Sequence, residues 1–129
     1  MDDVYELYSR GSSLLADSHY HQAVVPLTRA RDLAPESGSI REALGRALFH
    51  VRRYEDAAAE FQAIVERAPT NDYALFCLGR CLQLLGRHAE ARQPLALAAC
   101  MRPNRSDYRL YRDRARSRVS DLHEGDTPR

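Results

Sequence analysis

A chain of 129 residues, 44% hydrophobic and with a formal net charge of +1, is long enough to bury one continuous core and reads as a single soluble domain. No run of 18 apolar residues is present, which argues against a transmembrane helix. The Met1-Asp2-Asp3 start lacks the basic-then-apolar pattern of a secretory signal, and three cysteines without framework spacing fit a reducing cytoplasm better than a disulfide scaffold. All 19 basic residues are Arg, as expected of a GC-rich bacterial genome.

Apolar spacing predicts seven helices and no strand, with turns near 17–20, 35–38, 51–54, 69–72, 86–88 and 103–105. The first helix carries Gly11 inside its apolar pattern and ends before Tyr20 and its flanking His19 and His21. The second carries Ala23, Pro26 and Leu27 and stops before Pro35, which cannot extend the hydrogen-bond ladder. Ser37 is placed to cap the third helix, whose stripe is Leu44, Leu48 and Val51. The fourth carries Ala57, Phe61, Ile64 and Val65 before Pro69, and Asn71 caps a fifth that contains Gly79. The sixth has Ala91, Pro94 and Leu95 ahead of Pro103, and Asn104, just beyond that proline, is placed to cap the seventh.

Four positions therefore keep one 34-residue period: Gly11, Gly45 and Gly79; Ala23, Ala57 and Ala91; Leu27, Phe61 and Leu95; Pro35, Pro69 and Pro103. Glycine within a helix costs about 1 kcal/mol relative to alanine, so its recurrence predicts a close crossing within each helix pair. The alanines are expected to supply the matching small contact. Pro26 and Pro94, at one place in the period, predict an early bend in the second and sixth helices. Arg10 breaks the pattern kept by Leu44 and Leu78, a polarity suited to a terminal helix.

The last helix presents Tyr108, Tyr111, Ala115, Val119 and Leu122 along one stripe and Arg105, Arg109, Arg112 and Arg116 along another. The basic stripe has two readings. It is either a ridge for nucleic acid or an acidic partner, or the wet face of an end cap standing where Leu75, Leu78 and Leu82 face their own second helix; the second is preferred. Cys77 and Cys81 share a helix face, but no further Cys or His stands at zinc-site spacing, so they are read as packed small residues. No phosphate loop or nucleophile motif occurs, and neither catalysis nor a metal or cofactor is implied.

The 34-residue pattern, with its early Gly, mid-unit Ala and closing Pro, resembles the tetratricopeptide repeat. The resemblance implies an all-α fold, a right-handed superhelical solenoid of seven helices. It divides one domain at 4–122 into repeats at 4–37, 38–71 and 72–105 and a capping helix at 106–122, leaving a disordered tail at 123–129. It also implies a protein-interaction module, in which the first helices of successive repeats line a concave groove. Places two, five, six, nine and twelve of each repeat point into that groove.

Carried onto this chain, those places hold Tyr5, Tyr8, Ser9, Ser12 and Leu15; Ser39, Glu42, Ala43, Arg46 and Phe49; and Tyr73, Phe76, Cys77, Arg80 and Gln83. The groove expected to bind a partner is Tyr5, Tyr8, Ser12, Glu42, Arg46, Phe49, Tyr73, Phe76 and Arg80, with aromatic anchors and an Arg46–Arg80 pair about 10 Å apart to receive acidic groups. The carboxylate clamp of co-chaperones in this family is absent, since its five positions hold Tyr8, Ser12, Ala43, Tyr73 and Cys77. The expected function is a small cytoplasmic adaptor or chaperone-like binder of a protein or peptide. The alternatives are a self-associating homo-oligomeric scaffold and weak nucleic-acid binding through the Arg ridge.

Overall fold

Short polar side chains start the first helix of each repeat, whereas the last helix starts after Arg105 and not on Asn104. The N–H groups of Glu6, Ile40 and Ala74 donate to Asp3 Oδ1 at 2.8 Å, Ser37 Oγ at 3.4 Å and Asn71 Oδ1 at 3.0 Å, which satisfies one otherwise unpaired donor at each start. The computed structural model describes residues 3–126, with side chains through residue 118. Seven helices follow in order: α1 Val4–Ala16, α2 Tyr20–Leu33, α3 Gly38–His50, α4 Tyr54–Arg67, α5 Asp72–Leu84, α6 His88–Met101 and α7 Ser106–Asp126. No strand occurs among the described residues. The helix of the C-terminal stripe thus runs past Leu122, and residues 123–126, expected in a disordered tail, are helical. Residues 127–129, and the side chains of Val119 and Leu122, lie outside what is described.

The turn inside each repeat is closed in one way. The N–H groups of His19, Arg53 and Arg87 reach back to the carbonyls of Leu14, Leu48 and Leu82 at 2.8–2.9 Å, a Schellman closure that needs a left-handed residue just before the donor. That residue is Gly86 (φ 79°) in the third repeat but Ser18 (φ 63°) and Arg52 (φ 66°) in the others. A side chain in this region costs roughly 1–2 kcal/mol, offset in part by the chain entropy of glycine. Arg52→Gly is therefore expected to stabilise the protein by about 0.5–1 kcal/mol, read as a higher denaturation midpoint.

Each helix packs on the next in sequence, and α1 also touches α3 as α5 touches α7, so the odd-numbered helices line one side. The recurring glycines sit at the crossings. A Cβ at Gly45 would lie 2.8 Å from the Phe61 ring, and Cβ atoms at Gly11 and Gly79 would strike Leu27 and Leu95. The nearest atoms are thus those of the large residue of the second helix, and Ala23, Ala57 and Ala91 are fully buried. Pro26 and Pro94 are buried within α2 and α6, each of which remains one helix.

Between the two prolines in the period stands Glu60, 4% exposed. Its carboxylate receives Arg31 Nη1 from α2 at 2.6 Å and Arg41 Nη1 from α3 at 2.8 Å, while Arg41 Nε also donates to the Pro35 carbonyl at 2.7 Å. Three helices are therefore tied by one buried, fully bonded carboxylate. One repeat later the equivalents of Arg31, Arg41 and Glu60 are Val65, Leu75 and Pro94.

Candidate functional site

Between α3 and α5 the wall of odd-numbered helices opens into a concavity of about 220 Å³. Phe49 from α3 and Tyr73 and Phe76 from α5 form its sides, Phe61 of α4 lies at its floor, and Arg46 and Arg80 stand beside them. Five of the nine expected groove residues (Arg46, Phe49, Tyr73, Phe76 and Arg80) are thus brought to one place, with Cys77 and His50.

The other four are placed differently. Tyr5 is 78% exposed and lines a separate shallow depression on α1 with Glu6, Ser9 and Arg10. Tyr8 is half-buried because it packs against two core clusters, including the one built on Leu7 and Ile40. Ser12 is half-buried on α1, outside the concavity. Glu42, also half-buried, lies near enough to Tyr73 and Cys77 to act on both electrostatically.

The chemistry of the concavity is set by burial. Burial raises the Tyr73 phenol and pushes the Cys77 thiol up to about 11. Cys81, wholly buried behind them, is pushed up to about 12 for the same reason. Burial thus favours the protonated form of both thiols, as it does for packed structural cysteines. Among the described residues no group of three or more His, Cys, Asp or Glu is placed to hold a metal ion.

α7 does more than cap the end. Tyr108, fully buried, stacks on Phe76 with ring centroids 4.6 Å apart and donates its hydroxyl to Asp72 Oδ2 at 2.9 Å. Tyr111 meets Phe76 edge-on at 5.7 Å and lies 3.9 Å beneath the Arg80 guanidinium, with Arg114 at 5.2 Å from the same ring. Gln83 Nε2 donates to the Tyr111 carbonyl at 3.1 Å and Gln83 Oε1 accepts from Arg80 Nη1 at 2.9 Å. Phe76 and Arg80 are therefore held by α7, and Phe76 is as much an anchor for α7 as a groove wall.

His50, Phe61, Tyr111 and Arg114 were not among the expected site residues. Extending the 34-residue period into α7 would have found the last two. Tyr111 follows Cys77 by one period, and Arg114 completes the row Arg46, Arg80, Arg114. His50 is drawn in by stacking on Tyr20 at 4.0 Å and by the Phe49 edge at 6.0 Å, while Tyr54 meets Phe49 at 5.4 Å. Tyr20 and Tyr54, one 34-residue period apart, thus both form aromatic contacts at the turns.

The ridge on α7 is largely engaged by its own chain. Arg105 pairs with Asp107 through two contacts at 3.0 and 2.8 Å, holding that carboxyl below the usual carboxylate range, and its guanidinium covers the Tyr108 ring at 4.4 Å. Arg109 donates to the Pro103 carbonyl, as Arg41 does to Pro35, and Arg112 contacts Asp113 at 3.0 Å. Arg116 is exposed. Asp113 also stands where Gly11, Gly45 and Gly79 admit a second helix, so this face is not shaped for the crossing seen in the other repeats.

A family model described as tetratricopeptide repeat matches residues 8–72 and 51–108. The chain belongs to the tetratricopeptide repeat family. Solved tetratricopeptide domains share its fold. The first such domain of Spaghetti (RPAP3), bound to the HSP90 peptide SRMEEVD, is 15% identical with a TM-score of 0.83, covering 91% of this chain and 93% of that one. The Sgt2 domain from Aspergillus fumigatus is 17% identical with a TM-score of 0.82, covering 100% and 87%. MamA is 24% identical with a TM-score of 0.85, covering 95% and 71%. No curated protein matches this chain in sequence. Among the described residues no helix is long and apolar enough to cross a membrane.

Proposed function

We propose that this tetratricopeptide repeat protein is a binding module, a small adaptor that holds a segment of a partner protein against α3 and α5. The observation that carries this is the convergence of Phe49, Tyr73 and Phe76 around a concavity of about 220 Å³ flanked by Arg46 and Arg80. That volume suits one large apolar or aromatic side chain of the partner, and the guanidinium groups suit acidic residues beside it. Arg80 is preorganised by Tyr111 and Gln83, so it presents charge without losing much rotamer freedom on binding. The related Spaghetti domain holds an acidic peptide. Here the clamp positions are Tyr8 and Ala43, both packed into the core, together with Ser12, Tyr73 and Cys77, so the ligand is expected to be anchored by an apolar side chain rather than by a terminal carboxylate.

Selection from a displayed random-peptide library against the immobilised protein tests this. Enriched peptides should combine an aromatic or aliphatic residue with neighbouring Asp or Glu. Tyr73→Ala and Arg46→Ala should each weaken the selected peptides by about fivefold, equivalent to about 1 kcal/mol. The Arg46→Ala loss should shrink at high salt, where wild-type attraction is already screened. Phe76→Ala is a poor probe because it also frees Tyr108. Arg109→Ala and Arg116→Ala should leave binding unchanged; the reverse ranking would move the binding surface to α7.

A further inference from the structure

The opposite, convex side carries a larger hollow. α4 and α6 flank the back of α5 and leave a cleft of about 550 Å³, floored by Leu75, Leu78 and Leu82 and walled by Ala59, Val65 and Leu97. At the preceding junction the equivalent space is crossed by Arg31, Glu60 and Arg41, and only about 230 Å³ remains. Val65, Leu75 and Pro94 at those three places take away the buried ion pairs that cross the floor of the preceding space. The floor of the cleft is therefore apolar and open, with Leu97 still 40% exposed at its rim, while Gln62, Gln93 and the Glu55–Arg87 pair stand around it.

The rim is acidic. Among the described residues Arg87 pairs with both Glu55 and Glu90, at 2.9 and 3.9 Å, so two carboxylates face its guanidinium. Glu66 lies further along α4, accepting from Gln62 at 3.3 Å.

The same chain exposes a feature of matching shape. Val25 and Leu33 on α2 are 63% and 59% exposed, more than any other large aliphatic residue described. They stand two helical turns apart, about 12 Å, with Arg29 midway between them on the same face. The corresponding pairs are Ala59 and Arg67 on α4, and Gln93 and Met101 on α6, so only α2 carries an apolar residue of this size at both places. The cleft floor from Leu75 to Leu82 spans about 10 Å of helix.

We propose that the cleft between α4 and α6 is filled by the α2 ridge of a second copy of this chain. Val25 and Leu33 enter the apolar floor and Arg29 lies toward the Glu55–Glu90 rim, so both the apolar and the charged parts are complementary. Ridge and cleft are different patches, so one contact joins unlike surfaces. A single contact of this kind falls at the small end of specific interfaces, near 1,000 Å² in total, and gives concentration-dependent association.

Sedimentation of the full chain from about 10 μM to about 1 mM reads the association. The weight-average mass should rise above the 14.7 kDa of the monomer. Val25→Glu with Leu33→Glu should raise the dissociation constant at least about tenfold, as should Ala59→Glu with Leu97→Glu. All four sites are exposed, so circular dichroism should be unchanged. The decisive result is a mixture: the ridge variant keeps a good cleft and the cleft variant keeps a good ridge. Together they should form a 1:1 pair of twice the monomer mass, although each alone is monomeric. A wild-type chain that stays monomeric at the highest concentration would overturn the proposal. So would association that survives both double variants, or that is lost on Tyr73→Ala instead. Since Val25 and Leu97 lie outside the concavity between α3 and α5, peptide binding there should survive both double variants and be read independently.

Discussion

Phe61→Ala is expected to lower the unfolding free energy by about 3–5 kcal/mol, the range for truncating a buried phenylalanine. Phe61 is 1% exposed, its ring fills the crossing opposite Gly45, and its inner edge floors the concavity between α3 and α5. Removing it leaves a void that cannot collapse easily, because α3 and α4 are held at their joining turn by the Arg53-to-Leu48 hydrogen bond and across the helices by Arg41 and Glu60. The same contact can be stressed from its other side. Gly45→Leu inserts bulk where even a Cβ comes within 2.8 Å of the ring, and should cost about 1–3 kcal/mol through overpacking. Chemical denaturation measures both. Unchanged midpoints would mean that the crossing is not where the structure puts it.

The second large effect concerns charge. Replacing Arg31 and Arg41 together by Ala should cost about 3–5 kcal/mol, because Glu60 would stay in its buried place with no cation facing it. Arg31→Ala alone should cost less, since Arg41 still bonds one carboxylate oxygen while anchored on the Pro35 carbonyl. Adding Glu60→Leu to the double variant should recover much of the loss, because well-packed apolar groups replace buried ion networks at little net cost. A double variant as stable as the wild type would show that water reaches Glu60 freely.

Period and patterning alone determined the repeat architecture. Gly at the crossing, Pro after each second helix and Ser37 or Asn71 at the next start are local requirements of backbone geometry, so they are legible one residue at a time and imply both the helices and the family. The row of Arg46 and Arg80 and the aromatics Phe49, Tyr73 and Phe76 were legible for the same reason, since a fixed place in a repeat points to a fixed side of the solenoid.

Tertiary structure alone decided what each of those side chains touches. Tyr8 sits at a groove place yet packs into the core, because its ring lies against the cluster that Leu7 forms with Ala30 of α2 and Ile40 of α3. The side chains nearest the glycines are Leu27, Phe61 and Leu95, since contact across a crossing depends on helix rotation and not on residue size alone. α7 reached back to hold Phe76 and Arg80, and Val65, Leu75 and Pro94 left a cleft where Arg31, Arg41 and Glu60 had filled one. Period assigns a residue to a face, whereas burial, pairing and vacancy depend on neighbours 20 to 40 residues away, whose distances are set only when the helices pack.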